Sequence, residues 1–379
     1  MKLKIAILAS NYIKIPPLFE DIPQGYSGAP EKIMSVITEG MVKKGHDVTL
    51  FASGDSQTNA RLVSVTQHAT AFDPPIDKKQ YHEFEYLLIS TCYRMAKEKQ
   101  FDIIHSTFDT RSAYYSPLVA TPTVSTLHSP LDDPVRQRIL PHFANTQYYI
   151  SISNAQRKPL PQLQYIQTIY HGIDTSAMTF SKTIDSDYML FVGRIVPDKG
   201  IESGIVVAQK LKRKLYLIGS VNETSEFWTE LVKPSIDNTL INRLGYIPKD
   251  EVNHFYQNAK LFLFPIQWEE PFGLVMIEAM ACGTPVVAYA RGSVPEVIKD
   301  GETGFIVNSS DDDIRGEWVT KKTGIDGLCE AVERIYAISE NDYRQMRRNC
   351  RAHVEKNFTV ERMVNNYEKV YQQILQAKK

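Results

Sequence analysis

Short apolar runs alternate along this chain with longer stretches in which apolar residues recur at helical spacing. Leu3 to Leu8 reads as a strand, and a loop rich in Pro and Gly follows (Pro16, Pro17, Pro23, Gly25, Gly28). A helix then carries Pro30 near its first turn and Ile33, Val36, Ile37 and Met41 on one face. Gly45-His46 closes that helix, and Val48 to Phe51 resumes a strand, giving a βαβ unit with an unusually long first loop. Further strands are predicted at Ile103-Ile104, Thr123 to Leu127, Tyr148 to Ile150 and Ile166 to Ile169, with a helix over Tyr81 to Lys97.

The stretch from Asp174 to Asp187 is polar and shows no periodicity, and 176–187 is read as a linker. Beyond it the pattern restarts with a strand at Met189 to Val192, a helix from Ile201 and a strand at Leu215 to Ile218. A strand near Leu244, a helix from Lys249, and strands at Leu261 to Phe264 and Pro285 to Ala288 follow. The tail from Val360 to Gln376 reads as a helix with Met363, Val364, Tyr367, Val370, Tyr371 and Ile374 apolar. Alternating strands and helices imply parallel, doubly wound sheets. The expected division is 1–175, the linker, a second Rossmann-like domain over 188–358, and a closing helix over 359–379. Two such domains facing a cleft would hold ligands at their strand C-terminal ends.

A length of 379 residues agrees with two cores. The net charge of −1 argues against a nucleic-acid partner. Cys92, Cys282, Cys329 and Cys350 form no CxxC pair and read as reduced thiols, without a disulfide framework or zinc site. The apolar start, Met1 to Ser10, is too short for a signal peptide, and no run approaches the ~20 residues of a membrane span. The cytoplasm is therefore the expected location, with peripheral membrane contact left open.

Candidate chemistry centres on Glu270-Pro271-Phe272-Gly273-Leu274-Val275-Met276-Ile277-Glu278. One carboxylate precedes a Gly-containing turn and the other lies inside the helix that the turn opens. The N–H groups of Gly273, Leu274 and Val275 would be unpaired donors at a helix N-terminus, a seat for a diphosphate. A carboxylate on either side suits a ligand with hydroxyls at both ends, as in a nucleotide sugar. Arg194, after the strand ending at Val192, and Lys199, before the next helix, are placed to neutralise that diphosphate, although Lys and Arg at such turns are commonly solvated. Gly219 permits close backbone approach or serves an ordinary βα turn. Ile247, in Gly245-Tyr246-Ile247-Pro248, is the expected wall for the base.

In the first half, Ser27-Gly28-Ala29-Pro30-Glu31 marks either a loop that approaches a ligand or a plain helix start. His128, directly after a strand, either meets a sugar hydroxyl or is a structural histidine. His46, His105 and His171 show no metal-ligand spacing and read as structural. Asp185-Ser186-Asp187 and Asp311-Asp312-Asp313 look like metal motifs, but one precedes its strand and the other lies in a polar loop, so no metal is assigned. Neither a Walker A sequence nor a GxGxxG fingerprint after the first strand is present. Arg136 and Arg138 would greet an anionic acceptor. Ser309 to Thr323 has no role assigned from sequence.

Together these residues resemble the retaining GT-B glycosyltransferases of family 4, and the resemblance covers nearly the whole chain. Its strongest marker is the E-x7-E motif at Glu270 and Glu278, with the run through Gly283. Arg194 and Lys199 match the donor-phosphate pair, His128 the sugar-contacting histidine, and Gly28 to Glu31 the first-domain glycine loop, with Ser27 replacing the first of two glycines. The resemblance implies an α/β, two-domain GT-B fold whose last helix returns to the first domain. It implies a retaining hexosyltransferase with a UDP-glucose-type or GDP-mannose-type donor and no metal or other cofactor. Glu278 would hold the ribose, Glu270 the hexose, and Arg194 and Lys199 the departing diphosphate, with His128 positioning the hexose. Phe272, Gly273, Leu274, Val275, Gly28, Gly219 and Ile247 complete the expected donor site. The acceptor is left open among a sugar, a lipid-linked sugar or a small molecule. Rival readings are a GT-B phosphorylase or epimerase relative and a non-catalytic sugar-nucleotide-binding protein.

Overall fold

The computed structural model describes residues 1–18, 22–23, 26, 28–73, 76, 80–184 and 186–377. The chain divides into one unit of Met1–His171 with Val360–Lys379 and a second of Gly172–Thr359. Each is built on one parallel sheet.

The first sheet comprises β1 (Lys4–Leu8), β2 (Asp47–Phe51), β3 (Arg61–Val63), β4 (Ile103–Ser106), β5 (Thr123–Thr126), β6 (Tyr148–Ser151) and β7 (Tyr165–Thr168), in the order β3-β2-β1-β4-β5-β6-β7. The order reverses at β1, as in a Rossmann sheet. β1, β4 and β5 are buried along nearly their whole length, which explains why, apart from Lys4 and His105, they hold only apolar residues, Ser and Thr. The helices are α1 (Ala29–Lys43), α2 (Tyr81–Lys97), the short α3 (Pro134–Ile139) and, from the far end of the chain, α10 (Val360–Ala377).

α10 packs on α1 and buries the apolar stripe Met363, Val364, Tyr367, Val370, Tyr371 and Ile374. Polar contacts fix its register. The Leu3 N–H donates to His46 Nδ1 (3.2 Å), so the ring proton sits on Nε2, where Glu368 Oε1 accepts it at 2.9 Å. Lys44 Nζ joins the other Glu368 oxygen at 2.8 Å. Deeper in, His105 Nδ1 meets the Tyr371 hydroxyl at 2.6 Å and its Nε2 meets Thr126 Oγ1 at 2.7 Å.

His105 is fully buried, and desolvation, helped by His128, pulls its pKa down to about 3. The unfolded chain therefore takes up a proton near pH 6.5 that the native state refuses until much lower pH. This contribution to stability is complete above pH 6.5 and drains as the pH falls, by up to about 1.4 kcal/mol per pH unit. His105→Gln is expected to be less stable at neutral pH yet to have a flatter pH profile between pH 6.5 and 4. Urea midpoints followed by far-UV circular dichroism measure this; parallel profiles for the two proteins would contradict it.

The second sheet comprises β8 (Met189–Val192), β9 (Leu215–Ile218), β10 (Ile241–Gly245), β11 (Leu261–Phe264), β12 (Val286–Tyr289) and β13 (Gly304–Val307), in the order β10-β9-β8-β11-β12-β13. Its helices are α4 (Ile201–Leu211), α5 (Lys249–Asn258), α6 (Leu274–Ala281), α7 (Val294–Val297), α8 (Gly324–Ala337) and α9 (Glu340–Asn357). α4 and α8 cover one face through Ile201, Ile205, Leu328, Val332 and Ile335, and α6 packs against α9.

The stretch 176–187, expected as a linker, is instead held into the second unit by α9. Arg351 donates to the carbonyls of Thr175 and Met178 (2.9 Å each) and of Ala281 (3.0 Å). Arg347, fully buried, donates to the carbonyls of Ser181 (2.8 Å), Gln257 (2.7 Å) and Cys282 (3.2 Å). Two guanidiniums thus meet carbonyls at the C-terminal end of α6, where the helix dipole favours cations. Asp185 lies outside the described residues. Among those described, no helix is long and apolar enough to cross a membrane. All four cysteines are buried and free.

Candidate active site

In the second unit, β8 and β11 are neighbours at the point where strand order reverses, and the loops at their C-terminal ends carry the motif residues. The β8 loop reaches Lys199 and the β11 loop reaches Glu270. Lys199 Nζ donates to Glu270 Oε2 at 2.6 Å, and the Trp268 indole N–H donates to the same oxygen at 3.0 Å. Lys199 Nζ also lies 4.7 Å from the centre of the Trp268 ring. The Lys199 and Glu270 side chains are only 15% and 11% exposed, so their attraction escapes most of the screening that weakens surface pairs. Both bonds fall on Oε2, and Oε1 takes none among the described residues.

Close backbone approach sets this geometry. Gly200 has φ +68 at the start of α4, and a Cβ there would lie 1.8 Å from the Pro265 carbonyl oxygen. The Gln267 N–H donates to the Asp198 carbonyl at 2.9 Å, tying the two loops together. Gly219, after β9, is equally constrained: a Cβ would sit 1.8 Å from the Gly193 carbonyl oxygen, beside Arg194. Its role in packing two strand ends is therefore established, whatever else it does.

Gly273 begins α6 in the left-handed region, and Met276 is the first residue whose N–H bonds back, to the Gly273 carbonyl at 3.0 Å. The N–H groups of Leu274 and Val275 belong to the first turn, which a helix cannot pair internally. Phe272 is buried against Phe358. Glu278 lies one turn further along α6, close enough to the buried Tyr256 that burial, and then the Glu278 charge, push that phenol well above its ordinary pKa. Ile247 follows β10, two strands from β8, and is half-buried. The second unit thus brings together Lys199, Glu270 and the start of α6, with Arg194 and Gly219 on the adjoining strand ends.

Trp268 and a charged clamp were missed by sequence reasoning. Glu269 accepts from the Gly292 N–H (2.8 Å) and pairs with Arg315 (2.7 Å) and Arg291 (3.5 Å). Both arginines also reach Asp313, Arg315 at 2.7 Å and Arg291 at 3.2 Å. The Ser293 N–H donates to the Glu270 carbonyl (2.9 Å), and its hydroxyl to the Phe272 carbonyl (2.8 Å). The loop 309–316, without a role from sequence, therefore grips the residue next to Glu270. Asp313 serves this network, and Asp311 accepts from the Thr323 hydroxyl at 2.7 Å. Among the described residues no group of three or more His, Cys, Asp or Glu is disposed to hold a metal ion.

In the first unit, His128 follows β5 and stacks on His171 with ring centres 5.5 Å apart. Burial lowers its pKa to about 4, leaving a neutral imidazole whose Nε2 has no partner among the described residues. Gly28 caps α1 with φ +61, and the space a Cβ would take there is bordered by Ile22 and Ile13. Ser27 lies outside the described residues. Arg136, expected to face an anionic acceptor, is paired within its own unit: its Nε donates to Asp109 at 2.9 Å and its Nη1 lies 3.6 Å from Asp133.

Glycosyltransferase Family 4 matches residues 31–177, and Glycosyl transferases group 1 matches residues 177–317. The D-inositol 3-phosphate glycosyltransferase of Mycolicibacterium smegmatis is 30% identical over 203 residues, covering 50% of this chain and 43% of that protein. The chain spans about half the length of the curated relatives it matches. Among solved structures, the sucrose-phosphate synthase of Thermosynechococcus elongatus superposes with a TM-score of 0.77 at 21% identity, over 99% of this chain and 100% of that one. Anabaena Alr3699/HepE, solved in complex with UDP, gives 0.69 at 20% identity over 99% of each chain. Two Rossmann-like parallel sheets with motif loops at a switch point define the GT-B class. Within that class, the chain belongs to the glycosyltransferases of family 4.

Proposed function

We propose that this protein transfers a hexose from a nucleoside diphosphate sugar, of the UDP-glucose or GDP-mannose type, to an acceptor hydroxyl, with retention at the anomeric carbon and without a metal ion. The observation that carries the reading is the Lys199–Glu270–Trp268 contact beside the start of α6. Lys199 is held where a diphosphate at the α6 N-terminus needs a counter-charge, so little side-chain order is lost when the ligand arrives. Arg194 adds the second cation from the end of β8. As the bond to the anomeric carbon breaks, charge grows on the departing diphosphate, and fixed cations and helix N–H groups stabilise it most at that moment. Glu270 Oε1 is the oxygen left to orient a hexose hydroxyl, and Glu278, further along α6, takes the ribose. Glu270 is already engaged with a lysine and an indole, which suits a positioning carboxylate and a front-face displacement better than a covalent nucleophile. Support for the donor class comes from Anabaena Alr3699/HepE, solved with UDP-glucose.

Calorimetric titration of the purified protein with UDP, GDP and ADP in the presence of EDTA tests this reading. One nucleotide is expected to bind in preference to the others. Failure of all three to bind, or binding that appears only when a divalent metal is restored, would overturn it.

A further inference from the structure

The strands of the second sheet carry the motif loops at their C-terminal ends and a different set of side chains at the other. Lys214, Tyr188 and Lys260 stand immediately before β9, β8 and β11. The Met189 N–H donates to the Lys214 carbonyl (2.8 Å) and the Lys260 N–H to the Tyr188 carbonyl (2.9 Å), which locks this edge. Arg213 precedes Lys214, and Tyr336 of α8 and Tyr343 of α9 reach the same edge, where cations and rings alternate. The Arg213 guanidinium carbon lies 4.1 Å from the centre of the Tyr336 ring. Lys260 Nζ lies 5.7 Å from that ring and 3.6 Å from the Tyr343 ring, and the Arg347 guanidinium follows at 5.8 Å from Tyr343. The Tyr336 hydroxyl donates to the Asp187 carbonyl and the Tyr343 hydroxyl to the Lys260 carbonyl, so both rings are fixed in place.

Rings attract these cations without neutralising them. Among the described residues, neither Arg213 nor Lys260 forms an ion pair, and the exposed Lys212 and Lys214 on either side of Arg213 add charge of the same sign. The acidic groups that face them are Asp187, near Tyr336, and Glu340, which Arg344 already takes. α4 and α5 end at this edge, but a helix C-terminus offers only about half a negative charge. Burial, and then the charges of Arg347 and Arg213, hold the Lys260 ammonium below the usual lysine pKa. Like charges held this close are relieved by an anion between them. A planar guanidinium fork beside a compact ammonium suits an oxyanion with several oxygens and more than one charge.

We propose that Arg213 and Lys260 form a binding site for a phosphate group, carried by a phosphate monoester, at the end of the second sheet away from Glu270 and Lys199. The site stands apart from the glycosyl-transfer reading, since none of its residues belongs to the motif loops.

NMR of the full chain with its lysines dimethylated with carbon-13 tests the site, because the label keeps the charge and reports each lysine separately. The Lys260 signal is the one absent from Lys260→Arg. Its titration is followed with inorganic phosphate, with glycerol 3-phosphate and with acetate, at equal ionic strength. Either phosphate is expected to raise the Lys260 pKa by about one pH unit and acetate to leave it nearly unmoved. Arg213→Gln, or Arg213→Lys should the first fail to fold, is expected to weaken that response to phosphate about tenfold. Phosphatidylcholine vesicles with and without phosphatidic acid form a further arm. A response to free glycerol 3-phosphate assigns a soluble ligand, and a response confined to vesicles with phosphatidic acid assigns a lipid headgroup. If phosphate in every form moves Lys260 no more than acetate does, the alternation of cations and rings is packing alone and the proposal falls. A response abolished in Lys199→Ala would place the anion at the candidate donor seat and overturn it too. Failure of all nucleotides to bind, with the Lys260 response intact, would sustain the site and overturn the transfer reading instead.

Discussion

Glu278→Ala is expected to weaken nucleotide binding about a hundredfold, while Glu270→Gln leaves that affinity unchanged or slightly higher and lowers turnover by about the same factor. The first magnitude follows from losing two charge-assisted bonds to vicinal ribose hydroxyls, each worth roughly 1.5–3 kcal/mol before compensation. The second effect has a different origin. Glu270 holds Lys199 at 2.6 Å, so removing its charge frees the lysine for the diphosphate. Binding then improves or holds even as the hexose loses its orienting oxygen, and orientation lost at the reacting centre appears in kcat. Calorimetry with the bare nucleotide and steady-state kinetics with the sugar donor separate the two. Equal loss of nucleotide affinity in both variants would contradict the assignment, because it would place both carboxylates on the same part of the ligand.

A second large effect is expected from a methyl group. Gly200→Ala introduces a left-handed alanine, costing about 1–2 kcal/mol, and drives its Cβ into the Pro265 carbonyl at 1.8 Å. The β8 and β11 loops must separate to relieve the clash, so destabilisation of about 3 kcal/mol or more should accompany a sharp fall in activity. Gly204→Ala, one turn along α4, is the matched control. Its Cβ would make ordinary contact with Leu263 at 3.4 Å, and alanine suits a helix interior better than glycine by roughly 0.5–1 kcal/mol. Thermal unfolding of the two variants should move in opposite directions; similar losses in both would show that the loops tolerate separation.

Much of the architecture was legible because its signals are local. β1, β8 and β11 are buried on both faces, so their composition announces them without a partner. β3 and β13 were not read: Arg61–Val63 is three residues at an edge, and Gly304–Val307 is four residues between turns. The helices α8 and α9 were also missed. Along α9 the buried set is Tyr343, Met346, Arg347, Cys350 and Val354, and the arginine at its centre reads as a surface residue. Its partners are backbone carbonyls, which every residue offers, so no sequence pattern marks 176–187 as part of the second unit. The same division holds for the site. Glu270 to Glu278 lie on one turn and helix and are visible as a motif. The clamp draws Glu269, Arg291, Asp313 and Arg315 from three separate loops, and Arg136 gave no sign of the buried Asp109 that takes its charge.

The placement of tryptophan has an optical consequence. All three, Trp228, Trp268 and Trp318, lie in the second unit, so every indole of the chain belongs to that unit. Trp268 is in contact with both Lys199 and Glu270, and its emission depends on the field those two charges create. A ligand that draws Lys199 away alters that field directly. Unmodified protein therefore carries its own dye at the candidate donor site.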